Sequence, residues 1–237
     1  MPTSKTPLLT ERAKRALNLA FEIHIDQIRK SRGGQIPYFS HLSTVAGMVL
    51  ELGGSEDEFI AAILHDSVED QADKLCSLWM GKENRQLSLD WRPTTAEEKT
   101  DTALRYLREE FGDAPADIVK QLTDDKLPRE FKKLPLERRI VFINESREKK
   151  FEKFRQAGPS VRRIKACDAL HNLRSLYQDY KESSADIWQN FAAGEKGTIH
   201  YYEQLSAIFM EHGPARAAIE MNHVLGRLKN SISADKG

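Results

Sequence analysis

The chain has 237 residues, enough to bury a core in one large domain or two small ones. Its 40% hydrophobic and 30% charged content is that of a folded chain, and 36 Lys plus Arg balance 36 Asp plus Glu, so no basic excess points to wrapping nucleic acid or lying on a membrane surface. Met1 to Glu11 lacks the long apolar segment of a secretory signal, no apolar run approaches the roughly 20 residues of a membrane helix, and Cys76 and Cys167 cannot build a disulfide framework, so the expected location is the cytoplasm.

Helical spacing dominates in chain order. Ala13, Ala16, Leu17, Ala20, Phe21 and Ile28 form one apolar stripe, which predicts a helix from Glu11 to about Lys30 ending at Gly33-Gly34. A second helix after Pro37 carries Leu42, Val45, Ala46, Val49 and Leu50 and stops at Gly53-Gly54. Ser55 with Glu58 is a capping box opening a third helix through Ile60, Ile63, Leu64 and beyond. Leu87, Leu89 and Trp91 alternate with polar residues, so Cys76–Pro93 reads as a short strand or an irregular insertion. Thr95 with Glu98 opens a helix to about Phe111. Further helices are expected at Ala116–Leu122, Leu136–Gln156, Ser160–Tyr180, Ser184–Phe191, Thr198–Glu211 and Ala215–Lys229, with Ser231–Gly237 frayed. The expected fold class is all-α.

The chemistry concentrates in Leu64-His65-Asp66-Ser67-Val68-Glu69-Asp70. On one continuous helix, His65 would align with Glu69, and Asp66 with Glu69 and Asp70. Carboxylates so gathered repel one another, and a divalent cation relieves the repulsion. His41 stands at the head of the preceding helix, and far downstream Asp168, Asn172 and Ser175 share a helix face, with Lys165 three residues before Asp168. His41, His65, Asp66 and Asp168 would make a mixed imidazole–carboxylate site suited to Mn²⁺, Fe²⁺ or Zn²⁺, with positions open to water and substrate. His24 reads equally as a packed, hydrogen-bonded histidine or as a support of the site, Cys167 as a small buried hydrophobe, and Arg29-Lys30 in isolation as a solvated helix end.

His24, Gln27, Arg29-Lys30, Pro37-Tyr38, His41, Leu64-His65-Asp66, Glu69-Asp70, Thr123-Asp124-Asp125-Lys126 and Asp168 through Asn172 together resemble an HD-domain phosphohydrolase. Within that superfamily the chain is similar to the hydrolase domain of RelA/SpoT enzymes and to stand-alone small alarmone hydrolases. The resemblance implies an HD-domain helical bundle over residues 1–180, with an insertion at about 76–93 and C-terminal helices over 181–237 packed on the same domain. It implies that His41, His65, Asp66 and Asp168 hold a metal, foremost Mn²⁺, and that Glu69 and Asp70 orient and deprotonate the attacking water. It makes Arg29 and Lys30 nucleotide contacts, and assigns Asn172 and Ser175 to ribose and phosphates.

The implied reaction removes the 3′-pyrophosphate of ppGpp, giving GDP and pyrophosphate. Alternatives are an HD phosphatase acting on another phosphorylated nucleotide such as NADPH, a non-catalytic nucleotide-binding regulator, and, weakest for a chain of zero net charge, a nuclease. Leu42 stands where the family usually has Pro, and Gln71 where Thr is frequent. The expected partner is the small nucleotide, with no nucleic acid and no membrane. The aromatic C-terminal layer, Trp188 through Phe209, is expected to pack on the domain or to bury a homodimer contact.

Overall fold

The computed structural model describes residues 9–29, 35–81, 92–124, 131–191 and 193–236. The chain divides into two compact units, one of Met1–Ile28 with Pro37–Lys126 and the other of Arg29–Ile36 with Leu127–Gly237. Among the described residues all regular elements are helical, and the extended pairing found is an isolated antiparallel bridge between Ile28 and Pro37. No helix among them is long and apolar enough to cross a membrane.

In the first unit, α1 (Glu11–Ile23) starts at Thr10, whose side chain accepts from the Arg12 amide. It ends seven residues short of the expected Lys30, because His24 to Asp26 turn and Ile28 enters the bridge to Pro37. The buried stripe is Ala13, Ala16, Leu19, Ala20 and Ile23, whereas Phe21 and Ile28 lie outside it at 51% and 47% exposure. Helix α2 (Phe39–Glu51) buries Leu42, Val45, Ala46 and Val49 and stops as expected. Gly53 there takes φ +77°, a left-handed conformation that glycine adopts without steric cost. A side chain on Gly54 would meet Val49 at 2.5 Å.

Helix α3 (Glu56–Ile63) has the predicted Ser55–Glu58 capping box, and Phe59 through Ile63 are all buried. A helix apolar on every side belongs in a core, and α1 and α2 pack against it. The helix then breaks: Leu64 caps α3, His65 and Asp66 lie in a turn, and α4 (Ser67–Met80) restarts behind Asp66. The expectation of one helix carrying His65, Asp66, Glu69 and Asp70 on a single face is therefore corrected. Residues 76–80 are helical, while 82–91, including Leu87, Leu89 and Trp91, lie outside the described residues. Helix α5 (Ala96–Phe111) opens on the Thr95–Glu98 box and packs on α4, and α6 (Asp113–Leu122) packs on α3 and α5.

The second unit holds α7 (Leu136–Gln156) and α8 (Pro159–Ser183), then a 3₁₀ stretch (Ser184–Asn190), α9 (Gly194–His212) and α10 (Ala215–Lys236). Helix α8 buries Val161, Ile164, Leu170, Leu173 and Leu176, and α9 and α10 cover it. Residues 231–236 are helical rather than frayed. Ile232 is buried, and the Tyr180 hydroxyl donates to Asp235 Oδ2 at 2.8 Å.

Candidate metal centre and its surroundings

His65 and Asp66 occupy the α3–α4 break, so the turn rather than a helix face aims their side chains. His41, in the first turn of α2, is 1% exposed and its ring meets that of His65 edge-on, centroids 5.3 Å apart. Asp66 Oδ2 lies 3.0 Å from His65 Nε2 and 3.8 Å from His41 Nε2. One donor atom from each of the three lies within 4.8 Å of the others. Two donors each about 2.1 Å from one cation would lie about 3.0 Å apart at a right angle and about 3.4 Å at the tetrahedral angle.

The donor chemistry agrees with that spacing. His65 Nδ1 lies 2.8 Å from the Ala62 carbonyl oxygen, so it carries the proton and leaves Nε2 with a lone pair toward Asp66. The Tyr38 hydroxyl donates to Asp66 Oδ2 and orients that carboxylate. These three residues fit a divalent cation, which would also offset the negative charge collected beside them.

Glu69 and Asp70 stand in the first turn of α4. Crowding by surrounding protein pushes the Glu69 carboxyl above its ordinary range, helped by the charges of Asp124, Asp66 and Asp70. The Asp124 amide nitrogen lies 3.5 Å from Glu69 Oε2 and pulls the other way. Asp70 Oδ2 accepts from Gln27 Nε2 at 2.6 Å. His24, 1% exposed, places Nδ1 2.6 Å from Gln27 Oε1, so it is both buried and attached to this surround.

The second unit gathers the remaining candidates apart from one. Arg29 Nη2 donates to Asn172 Oδ1 at 3.0 Å and to Ser175 Oγ at 3.2 Å, and Arg29 Nη1 lies 3.4 Å from His171 Nδ1. Asn172 Nδ2 donates to Asp168 Oδ1 at 2.6 Å, and Lys165 Nζ to Asp168 Oδ2 at 2.8 Å. Asp168 is thus held on both oxygens by residues of its own helix, as the three- and four-residue spacings lead one to expect. Lys30 lies outside the described residues. Sequence reasoning assigned no role to Tyr38, although its place one turn before His41 could have suggested one. It also missed the part played by Gln27 and Gln71.

Residues 16–87 match the HD-domain family. A probable guanosine-3′,5′-bis(diphosphate) 3′-pyrophosphohydrolase of Synechocystis sp. is 27% identical over 168 residues, 68% of this chain; the chain spans 16% of that protein's length. The human guanosine-3′,5′-bis(diphosphate) 3′-pyrophosphohydrolase MESH1 is 27% identical over 214 residues, 84% of this chain and 93% of the human protein. The solved structure of a metazoan ortholog of SpoT that hydrolyzes ppGpp shares the fold, with a TM-score of 0.61 over 94% of this chain and 98% of that one at 18% identity. The segment matching the HD domain runs from within α1 past the end of α4 and takes in His41, His65, Asp66, Glu69 and Asp70 together.

Proposed function

We propose that the protein is a metal-dependent phosphohydrolase of nucleotides that removes the 3′-pyrophosphate of ppGpp-type alarmones. The observation that carries this reading is the convergence of His41, His65 and Asp66 at the α3–α4 break, with two carboxylates one turn beyond. Relatives named as guanosine-3′,5′-bis(diphosphate) 3′-pyrophosphohydrolases support the substrate class.

Asp168 is the fourth ligand by the family resemblance, and Mn²⁺ the metal. A bound divalent cation would supply Lewis-acid polarisation of water and phosphate. Glu69 and Asp70 take the proton from the attacking water and steer its oxygen to the phosphorus on the 3′ oxygen. That P–O bond breaks, pyrophosphate departs, and the proton taken from the water passes from the carboxylates to the 3′ oxygen of GDP. Arg29 and Lys30 engage the nucleotide, and Asn172 and Ser175 its ribose and phosphates. The Arg29–Asn172–Ser175 contact supports grouping three of them.

A hydrolase core over 1–180 with C-terminal helices over 181–237, a cytoplasmic location and a homodimer belong to the same proposal. Light scattering and cell fractionation check the last two. The deciding experiment incubates metal-stripped protein with ppGpp and added Mn²⁺ and separates the products by anion exchange. GDP plus pyrophosphate, missing in His65→Ala, is the expected result. No product from folded, Mn²⁺-loaded protein would overturn the alarmone assignment, and release of phosphate from NADPH instead would replace it.

A further inference from the structure

Gln27 sits where three side chains meet. Its Nε2 lies 2.6 Å from Asp70 Oδ2, and its Oε1 lies 2.7 Å from Gln71 Nε2 and 2.6 Å from His24 Nδ1. Resting on the hydrolase reading, in which Asp70 handles the proton of the attacking water, we propose that Gln27 is the positioning residue for Asp70. His24 and Gln71 lock the Gln27 amide in its one productive orientation.

The chemistry of the groups fixes the direction of each bond. A carboxylate accepts hydrogen bonds and donates none, so the Gln27 amide must present NH₂ to Asp70. Its oxygen then faces His24 and Gln71, and both must donate. His24 therefore carries its proton on Nδ1, and Gln71 turns its own NH₂ inward. Reversing the Gln27 amide would set oxygen against the Asp70 carboxylate and NH₂ against two donors, losing three bonds together. His24 Nε2 is buried and has no hydrogen-bond partner among the described residues, as suits the lone pair of a neutral ring. Burial, the largest influence on that ring, lowers its pKa, against the upward pull of Gln27, Asp66 and Asp70.

The backbone holds Gln27 at both ends. Its amide nitrogen donates to the His24 carbonyl at 3.0 Å, and its carbonyl accepts from the Tyr38 amide at 2.8 Å. Tyr38 stacks on His24, centroids 5.5 Å apart and planes 22° apart, and its hydroxyl reaches Asp66. One turn after α1 therefore orients a metal-site carboxylate through Tyr38 and the Asp70 carboxylate through Gln27. Across from it, α4 leaves helical geometry at Gln71, φ −126° and ψ 23°, directly after Asp70. Asp70 itself is exposed, so without Gln27 its carboxyl would rotate freely on the first turn of a helix. A charge-assisted bond of this length removes that freedom before substrate arrives.

The test measures kcat, KM and Mn²⁺ affinity for wild type, Gln27→Met and Gln71→Met with ppGpp and Mn²⁺, and follows the Asp70 side-chain carboxyl by carbon-13 NMR. Gln27→Met is expected to lower kcat about 10- to 100-fold while KM and Mn²⁺ affinity stay within about twofold, since a displaced catalytic group costs turnover more than binding. Gln71→Met leaves the Gln27–Asp70 bond in place and is expected to cost about threefold in kcat. It carries the test if Gln27→Met does not fold, and an unchanged kcat there would then overturn the proposal. Unchanged kcat in folded Gln27→Met, or a loss carried by KM alone, would also overturn it. If the wild type does not hydrolyse ppGpp, the hydrolase reading fails separately, and the carboxyl resonance decides: a shift in Gln27→Met sustains the positioning contact, and a fixed resonance sinks it.

Discussion

His65 Nδ1 lies 2.8 Å from the carbonyl oxygen of Ala62, inside the last turn of α3. The bond fixes the ring on the helix end and commits its one proton away from Asp66, so His65 is prepared as a ligand before any ion binds. At a hundredfold excess over its dissociation constant, Mn²⁺ is expected to stabilise the wild type by about 2.7 kcal/mol. His65→Ala should lose that stabilisation and the turnover together. Thermal melts of metal-stripped protein with and without Mn²⁺ check this, and an equal upward shift in the variant would remove His65 from the ligand set.

The raised pKa of Glu69 has opposite consequences for stability and for catalysis. Its folded value lies above the ordinary glutamate value of 4.5, so the fold favours the protonated carboxyl. The stability that protonation contributes is present below pH 4.5 and is lost as pH rises through the folded value. At neutral pH the ionised group is therefore a cost in metal-free protein. Glu69→Gln should melt at a higher temperature than the wild type at pH 7, with the two curves converging below pH 4.5. Its turnover should fall about 10²- to 10⁴-fold with Mn²⁺ affinity retained, the range general-base removal produces. A Glu69→Gln protein that turns over normally would end the assignment.

Both capping boxes, the stop at Gly53 and the bounds of α7 were legible because each has a local chemical signature. The break after Leu64 was not. No Gly or Pro occurs between Gly54 and Gly81, and Leu64 and Val68 keep helical spacing across it. The available signal was Asp66 three residues before Glu69, a helix-start pattern inside an apparent helix. His41, His65 and Asp66 could be grouped from the family pattern. The Gln27–Asp70 bond joins residues 43 apart through a turn, and no spacing rule reaches that far.

Arg29 uses both arms of its planar fork: Nη2 donates to Asn172 and Ser175 at 3.0 and 3.2 Å, and Nη1 lies 3.4 Å from His171 Nδ1. A lysine keeps the charge and loses the fork, so Arg29→Lys is not conservative here. With ppGpp, Arg29→Lys is expected to raise KM about tenfold while kcat changes less, as when a binding contact common to ground and transition states is weakened. Mn²⁺ binding should be unaffected. Steady-state kinetics separate the two constants, and an unchanged KM would detach Arg29 from the nucleotide.

The helical end of the chain rests on a contact that can be removed singly. Tyr180, 2% exposed on α8, donates its hydroxyl to Asp235 at 2.8 Å, three residues beyond the buried Ile232. Tyr180→Phe keeps the ring in place and deletes the bond, while Asp235, itself exposed, returns to water. The loss is expected to be about 1 kcal/mol, because the freed carboxylate is resolvated rather than stranded. In a chain of this size that corresponds to roughly 2–4 °C in melting temperature. The local effect should be larger than the global one: amide exchange over residues 230–236 should quicken, while exchange in the buried middle of α8 stays unchanged. Unchanged exchange at the terminus would mean that Ile232 and the Lys236–Glu195 ion pair hold the last turns of α10 without the Tyr180 bond.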